Sequence, residues 1–203
     1  RNTGDIRTAD GGQIVLAAGD SATVALHNGQ GISLVLNDAT ANALAENSGN
    51  IHAQDGTVLI TARGKDTLLN TVVNLSGVVR AGTVVADAGK TGDVVMTGSI
   101  DASNRNGGQG GTVVLAGDRV GLLGQASIDA TGDAGGGKVI LGGDTLGKLA
   151  GTNAAGLLQD GVAFASLTQV GGGARIAADA RNGDGGFVET SGLELDMRGT
   201  VTA

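Results

Sequence analysis

Short apolar runs recur along the chain, and Gly-rich corners separate them. The phrase Ser99–Ala102 (SIDA) returns as Ser127–Ala130, and Gly111–Asp118 (GTVVLAGD) returns as Gly137–Asp144 (GKVILGGD). Short β-branched runs between glycines are typical of strands. The duplicated phrase therefore predicts a repeat unit that is built from β-strands.

A Gly/Ala-x-Ile/Val element recurs through the whole sequence. Most of its spacings are about 19 to 28 residues, and two are roughly doubled, which is the range of solenoid repeats. Its apolar residues are Ile6, Ile51, Val79, Ile100, Ile128, Ile176 and Val201. The period predicts an all-β solenoid of parallel strands, with roughly eight or nine coils and a length of about 40 Å at ~4.8 Å per coil.

Alternation within the second run of each repeat predicts which side chains form the core. A polar residue or Gly precedes each run, so the first and third positions point inward together. The predicted core residues are Ile14, Leu16, Val58, Ile60, Val94, Met96, Val113, Leu115, Val139 and Leu141. The pair Phe187/Glu189 breaks this pattern.

The middle position of each run is also apolar, and on this register it points outward. The resulting stripe consists of Val15, Leu59, Val95, Val114, Ile140 and Val188. Either another part of the protein covers this stripe, or the register is wrong by one residue.

Three segments interrupt the repeat. We predict single helical turns at Asp38–Glu46 and Asp66–Val73, from an N-cap candidate and from apolar i,i+4 pairs. The longest interruption is residues 145–172, which we read as an insertion with a loop or helical excursion at Lys148–Leu158 and a strand at Val162–Val170. Insertions in repeat proteins often carry binding.

The composition and charge of the chain disfavour several classes of partner. The chain has 39 Gly among 203 residues, no Pro, Cys, Trp or Tyr, and a net charge of −7. The negative charge disfavours nucleic acid and anionic membranes as partners, and no apolar run is long enough to insert into a bilayer. Because the sequence starts and stops within a repeat phrase, we expect residues 1–203 to be one β-helical segment of a longer protein.

Few residues suggest site chemistry. Asn47 and Asn74 each stand near a Ser-Gly corner, and we interpret them as a structural ladder of stacked amides rather than ligand contacts. Asp101 and Asp129 occupy equivalent positions in adjacent copies, where two carboxylates could share a raised pKa. Equivalent positions elsewhere hold Arg7, His52 and Arg80, so a mixed-charge ladder is favoured over a catalytic pair.

No window fits a calcium-binding loop, a phosphate loop or a nucleophile elbow. Sugar-cleaving grooves usually need aromatic platforms, and the chain has only two Phe. We therefore predict no enzyme activity, no catalytic or metal site and no cofactor.

Four further segments are informative: Ala45–Ile51 (AENSGNI), Gly56–Arg63 (GTVLITAR), Val72–Val79 (VVNLSGVV) and Asp184–Gly192 (DGGFVETSG). They resemble the exoproteins of two-partner secretion, the filamentous-haemagglutinin-like and high-molecular-weight adhesins of Gram-negative bacteria. The resemblance implies a right-handed parallel β-helix, an outer-membrane β-barrel transporter as export partner, and a secreted or surface-displayed protein. The family's secretion domain carries Asn-Pro motifs, and this chain has no Pro, so transporter recognition is not assigned to these residues.

Two functions follow from this resemblance and the repeat. The first is a structural and adhesive rod that contacts a host surface or an extracellular polysaccharide, as in biofilm, and that self-associates through unprotected strand edges. The second is a ligand-binding module that captures a host haem carrier or a polysaccharide through residues 145–172. A well-ordered, exposed insertion would favour the second function, and an uncharged, mobile one the first.

Overall fold

The protein is all-β in this computed structural model, which describes residues 1–27, 31–64 and 72–203. The described residues form nineteen strands and one short 3-10 helix, Ala155–Leu157, with no α-helix. The strands are β1 Asp5–Arg7, β2 Gln13–Ala18, β3 Ser21–His27, β4 Gly31–Asp38, β5 Leu44–Asn47, β6 Asn50–Ala62, β7 Val72–Leu75, β8 Val78–Asp87, β9 Asp93–Met96, β10 Ser99–Asp101, β11 Thr112–Ala116, β12 Arg119–Leu122, β13 Ser127–Asp129, β14 Lys138–Leu141, β15 Leu167–Val170, β16 Arg175–Ala177, β17 Phe187–Thr190, β18 Glu194–Met197 and β19 Thr200–Thr202.

Each coil contributes one strand to each of three parallel ladders. The first ladder runs β1, the start of β6, the start of β8, β10, β13, β16 and β19. The second runs β2, the end of β6, the end of β8, β11, β14 and β17. The third runs β5, β7, β9, β12, β15 and β18. This arrangement confirms the predicted all-β class with parallel strands and is consistent with a solenoid, whereas its handedness stays a prediction.

The Gly/Ala-x-Ile/Val element forms the first ladder, with every copy in register. Ile51 pairs with Ile6 and Val79, and Ile128 pairs with Ile100 and Ile176. The predicted number of coils was wrong. The ladders contain six complete coils followed by β19, which gives a stack about 30 Å long at ~4.8 Å per coil.

The error in the count comes from the two doubled spacings, which contain the antiparallel strands β3 and β4 and the excursion between β14 and β15 rather than additional coils. The alignment of Val94–Met96 was a separate error. This run was aligned with the second ladder, but it lies in the third, where Val94 pairs with Val73 and Val120. The second-ladder strand of that coil is instead the end of β8, in which Val85 pairs with Leu59 and Val114. Because each coil has two rather similar apolar runs, the sequence alone placed this run in the wrong ladder.

One continuous apolar core lies between the three ladders. The structure places all the predicted core residues except Leu16 in it as buried side chains, and Leu16 packs against it partly buried. Phe187 and Glu189 broke the predicted pattern because the inward-facing position of this strand comes one residue later than the sequence alignment assumed. Val188, not Phe187, pairs with Val139 and packs against the core.

Glycines line two corners of the coil because neighbouring backbones approach closely there. A Cβ placed on Gly137 would lie 2.1 Å from the carbonyl oxygen of Gly111, and one on Gly111 would lie 2.1 Å from that of Gly82. At the other corner, a Cβ on Gly98 would lie 2.1 Å from the oxygen of Gly77. The high glycine content therefore follows from coil stacking.

The helical turn predicted at Asp38–Glu46 is not found. In this segment, β4 ends at Asp38 and β5 begins at Leu44. Between them, Asn42 has a φ of 57°, which is in the left-handed region and not that of a right-handed helix. Most of Asp66–Val73 lies outside the described residues, and Val72 and Val73 belong to β7. An antiparallel hairpin, in which β3 pairs with β4, precedes the first of these two segments.

The last coil exposes core positions. Leu195 is 50% exposed and Val201 38%, although Ile176, the first-ladder neighbour of Val201, is 1% exposed.

Among the described residues, no helix has the length and apolar character to cross a membrane.

Candidate functional site

The chain leaves the coil after β14 and returns at β15, and we call residues 142–166 the strap. The predicted insertion, 145–172, extended too far, because Leu167–Val170 is a regular third-ladder strand between β12 and β18. The strand predicted at Val162–Val170 is found only in this last part. The strap itself is loop around the short 3-10 helix Ala155–Leu157.

The strap covers the outward apolar stripe of the second ladder. Leu149 and Ala154 of the strap are buried in one cluster with ladder residues that are 0–2% exposed, and Val15 and Phe187 pack against this cluster. The covered ladder residues are Leu59, Val85, Val114 and Ile140. Of the two alternatives left open by the sequence, the covered stripe is the one observed, with Val85 in place of Val95 and without Val188.

Glu189 fixes the beginning of the strap. One oxygen of its buried carboxylate accepts hydrogen bonds from the Thr145 backbone N–H at 2.8 Å, the Thr145 hydroxyl at 2.7 Å and the Ser191 hydroxyl at 2.6 Å. Burial acts to raise the pKa of Glu189, but the hydrogen bonds from Ser191 and Thr145 outweigh it and lower the pKa below its ordinary value. The ionised carboxylate therefore holds the strap at neutral pH.

Asp144 shapes the next turn. Its carboxylate accepts from the backbone N–H groups of Lys148 at 2.7 Å and Leu149 at 3.1 Å. The Lys148 ammonium lies 5.6 Å from the centre of the Phe187 ring, a cation–π distance. These contacts direct Leu149 towards the apolar stripe.

The far part of the strap reaches the first coils. The Gln159 side chain accepts from the Leu36 N–H at 2.9 Å and donates to the Leu36 carbonyl at 3.0 Å. The Arg63 guanidinium is 2.6 Å from the buried Asp87 carboxylate and 3.4 Å from Asp160 of the strap. The strap thus spans from the fifth coil to the hairpin that follows β2.

The outer side of the strap faces solvent and includes apolar side chains. Leu146 is 67% exposed and Phe164 is 50% exposed. Gly143 approaches Phe164 so closely that an added Cβ would lie 3.0 Å from its ring. The strap is therefore ordered against the coils while it presents a partly apolar surface.

A column of charged residues runs along the first ladder, as the mixed-charge interpretation predicted. Asp101 pairs in register with Asp129 and Arg80, and His52 continues the column to Arg7. Arg80 and Asp101 also line a shallow cleft of about 80 Å³ at the adjacent corner.

The pKa of Asp129 is lowered rather than raised. Burial acts to raise the pKa of Asp129, but hydrogen bonds from Thr131 and from the Arg105 guanidinium outweigh it and lower the pKa. Asp101 lies 3.6 Å from Arg80 and accepts from the Ser103 hydroxyl at 2.7 Å. Both carboxylates are therefore engaged in ion pairs and turn hydrogen bonds.

The asparagine ladder exists, but its second member is Asn2, not Asn74. Asn2 donates to the side-chain oxygen of Asn47 at 2.7 Å, and the two residues are 7% and 0% exposed. Asn74 pairs with Glu46, while Leu75 lies beside Asn47. Asn47 stands two residues before Gly49 but Asn74 three before Gly77, and in a strand one residue of offset turns the side chain to the opposite face.

The spacing that identifies the true ladder is present in the sequence. Asn2-x-Gly4 precedes the first Gly-x-Ile element as Asn47-x-Gly49 precedes the second. By contrast, the contacts of Gln159 and Arg63 join distant parts of the chain, and periodicity carries no signal for them.

Within the described residues, no group of three or more His, Asp or Glu side chains could hold a metal ion.

Among solved structures, the chain is similar to the HMW1 secretion domain from Haemophilus influenzae, with a TM-score of 0.63 and 24% sequence identity. The likeness covers 100% of this chain and 60% of the other. It establishes likeness of fold alone. The sequence matches no protein-family model, and no curated protein matches it significantly.

Proposed function

We propose that the chain is a non-enzymatic structural rod of a secreted exoprotein, exported by two-partner secretion and displayed at the surface of a Gram-negative bacterium. The observation that carries this proposal is the continuous in-register stack of coils, whose fold is like that of a secretion domain over the full chain. The family resemblance of the sequence adds a right-handed winding and an outer-membrane β-barrel transporter as partner.

The polar groups of the first ladder support a structural role. Asp101 and Asp129 are paired with arginines, and the cleft beside Asp101 is shallow and has no aromatic residue in its lining. A carbohydrate-cleaving site needs an acid with a raised pKa and a platform for the sugar ring. The lowered pKa of Asp129 is the opposite of the first requirement.

Export is tested with the intact gene and its chromosomal neighbours. We expect an outer-membrane transporter gene beside it, and we expect the protein in the medium or on the cell surface only when that transporter is expressed. A transporter variant without its membrane barrel is the control. Export that is unchanged in this control would contradict the route.

The adhesive role is tested by comparing the attachment and aggregation of cells with and without the exported protein. We expect the wild-type gene to increase attachment and the Leu146→Ser/Phe164→Ser double variant to attach equally well, because the rod acts through its length. A matched control replaces two exposed polar residues, Thr97 and Gln125, by alanine.

The alternative is a ligand-binding module in which the strap captures a host haem carrier or a polysaccharide. The ordered strap with exposed Leu146 and Phe164 is the observation that favours it. If the Leu146→Ser/Phe164→Ser variant is exported normally but loses attachment, the binding module replaces the rod as the proposed function.

A further inference from the structure

The hairpin formed by β3 and β4 has one protected edge and one open edge. At the β4 edge, the Gln13 side chain accepts from the Ile32 N–H at 2.6 Å and donates to the Ile32 carbonyl at 2.9 Å. Gln159 binds both backbone groups of Leu36 in the same way. Two glutamine amides thus occupy this edge as a neighbouring strand would.

These contacts determine the direction of the other backbone groups. Since Ile32 and Leu36 point away from β3, alternation makes Ser33 and Val35 the residues that face β3. Their partners are Ala25 and Thr23. Ala22, Val24 and Leu26 therefore direct their N–H and C=O groups to the outer edge of β3. Among the described residues, no hydrogen bond reaches the outward groups of Ala22 or Val24.

The open edge lacks the charged side chains and proline that usually prevent strand pairing, and its one register shift is confined to its end, between Ser21 and Ala22. Residues 21–37 contain no Asp, Glu, Lys, Arg or Pro, although the whole chain has a net charge of −7. Val24 is 56% exposed and shares one face of the hairpin with Ile32, which is 37% exposed. An uncharged, partly apolar edge strand with free backbone groups is a template for another strand.

We propose that β3 is the self-association site of this protein, where it pairs antiparallel with β3 of a second copy. A two-fold axis at Val24 brings Val24 opposite its own copy and Ala22 opposite Leu26 of the other chain. All the outward N–H and C=O groups then find partners, and the exposed apolar faces of the two hairpins become one face. Such a contact is isologous and closes at a dimer.

A second copy fits this edge better than other occupants. The sequence of β3 is uncharged throughout, so the symmetric register places no like charges opposite each other. The new pairing also continues the existing two-stranded sheet into a four-stranded one, and sheets of three or more strands with an apolar face are more stable than a lone hairpin. The inference concerns assembly and does not depend on the export route or on adhesion.

The test measures the molar mass of the full chain by sedimentation equilibrium over a range of concentrations. We expect about twice the chain mass of 19.6 kDa for the wild type, and the mass of a single chain for Val24→Lys, because two lysines then meet at the axis. Val35→Lys is the matched control. Val35 is 42% exposed on the opposite face of the hairpin, and its variant should remain a dimer.

Crosslinking gives an independent readout, since the chain contains no Cys. Val24→Cys should yield covalent dimers with a short bismaleimide, and Val35→Cys should not. Circular dichroism confirms that each variant keeps its β-structure. A wild type that stays monomeric at every concentration would overturn the proposal. So would a dimer that persists in Val24→Lys but dissociates in Leu195→Lys, because the contact would then lie at the exposed last coil.

Discussion

The Gln159 side chain is hydrogen-bonded to both backbone groups of Leu36, 123 residues earlier in the chain. In a solenoid, coils otherwise contact only their sequence neighbours, so stability is nearly a sum of local terms. The strap adds a contact between the fifth coil and the first. It should therefore couple the opening of the hairpin to that of the later coils.

We expect Gln159→Ala to loosen the hairpin. Loss of the two hydrogen bonds, each worth about 0.5–1.5 kcal/mol, should speed amide exchange at Leu36 by roughly 5- to 150-fold. Hydrogen exchange measured by NMR tests this, with Gln125→Ala as control because Gln125 is exposed. Equal exchange at Leu36 in both variants would show that the contact contributes nothing.

A second prediction follows from the burial of the apolar stripe beneath the strap. Val114→Asp should lower the free energy of unfolding by more than about 3 kcal/mol, since it removes an apolar burial and places an unpaired carboxylate beneath the strap. Urea unfolding measures this loss. Thr97→Asp, at an exposed turn, should have little effect. A Val114→Asp protein as stable as wild type, beside an unfolded Val113→Asp protein, would mean that the stripe is open to solvent.

The glycine corners predict a large difference between two small substitutions. Gly137→Ala should destabilise the protein by about 1–3 kcal/mol, because the new Cβ meets the Gly111 carbonyl at 2.1 Å and the coils must separate. Gly156→Ala in the strap has no atom within 4 Å of its Cβ and should be neutral or slightly stabilising. Thermal unfolding of the two variants compares them directly, and identical midpoints would be incompatible with tight stacking.

Glu189 predicts a pH dependence. Its pKa is lowered in the folded protein, so its stabilisation is complete above the unfolded value of about 4.3 and is lost as pH falls through the folded value. Glu189→Gln should be less stable than wild type by about 1–3 kcal/mol at pH 7, and this difference should shrink below about pH 4. Unfolding at several pH values measures it, with exposed Glu194→Gln as control. A constant difference across the range would exclude the carboxylate as the cause.

How far the sequence predicts this fold depends on whether a feature repeats. The Gly-x-Ile elements recur, and both their pairing and the inward position of Val113 could be read from the period. The assignment of Val94 failed because the second and third ladders use the same β-branched residues. The hairpin was not predicted, because its strands resemble those of a coil, and the helical turn predicted at Asp38–Glu46 is instead the connection from β4 to β5.

The sites were harder to predict than the core. The position of the Asn47 amide followed from the corner motif, but its partner required the offset of one residue that separates Asn2 from Asn74. Nothing in the sequence around Gln159 indicates Leu36 as its partner, because a contact between remote segments leaves no local pattern.

The strap also imposes an order of events on a chain that folds from its N-terminus. Leu59, Val85 and Val114 complete their coils long before Leu149 is available to cover them. During that interval a growing protein carries an uncovered apolar strip along one side. Such an intermediate is prone to aggregate with other chains. Docking of the strap buries this apolar strip and so ends the interval in which the protein is prone to aggregate.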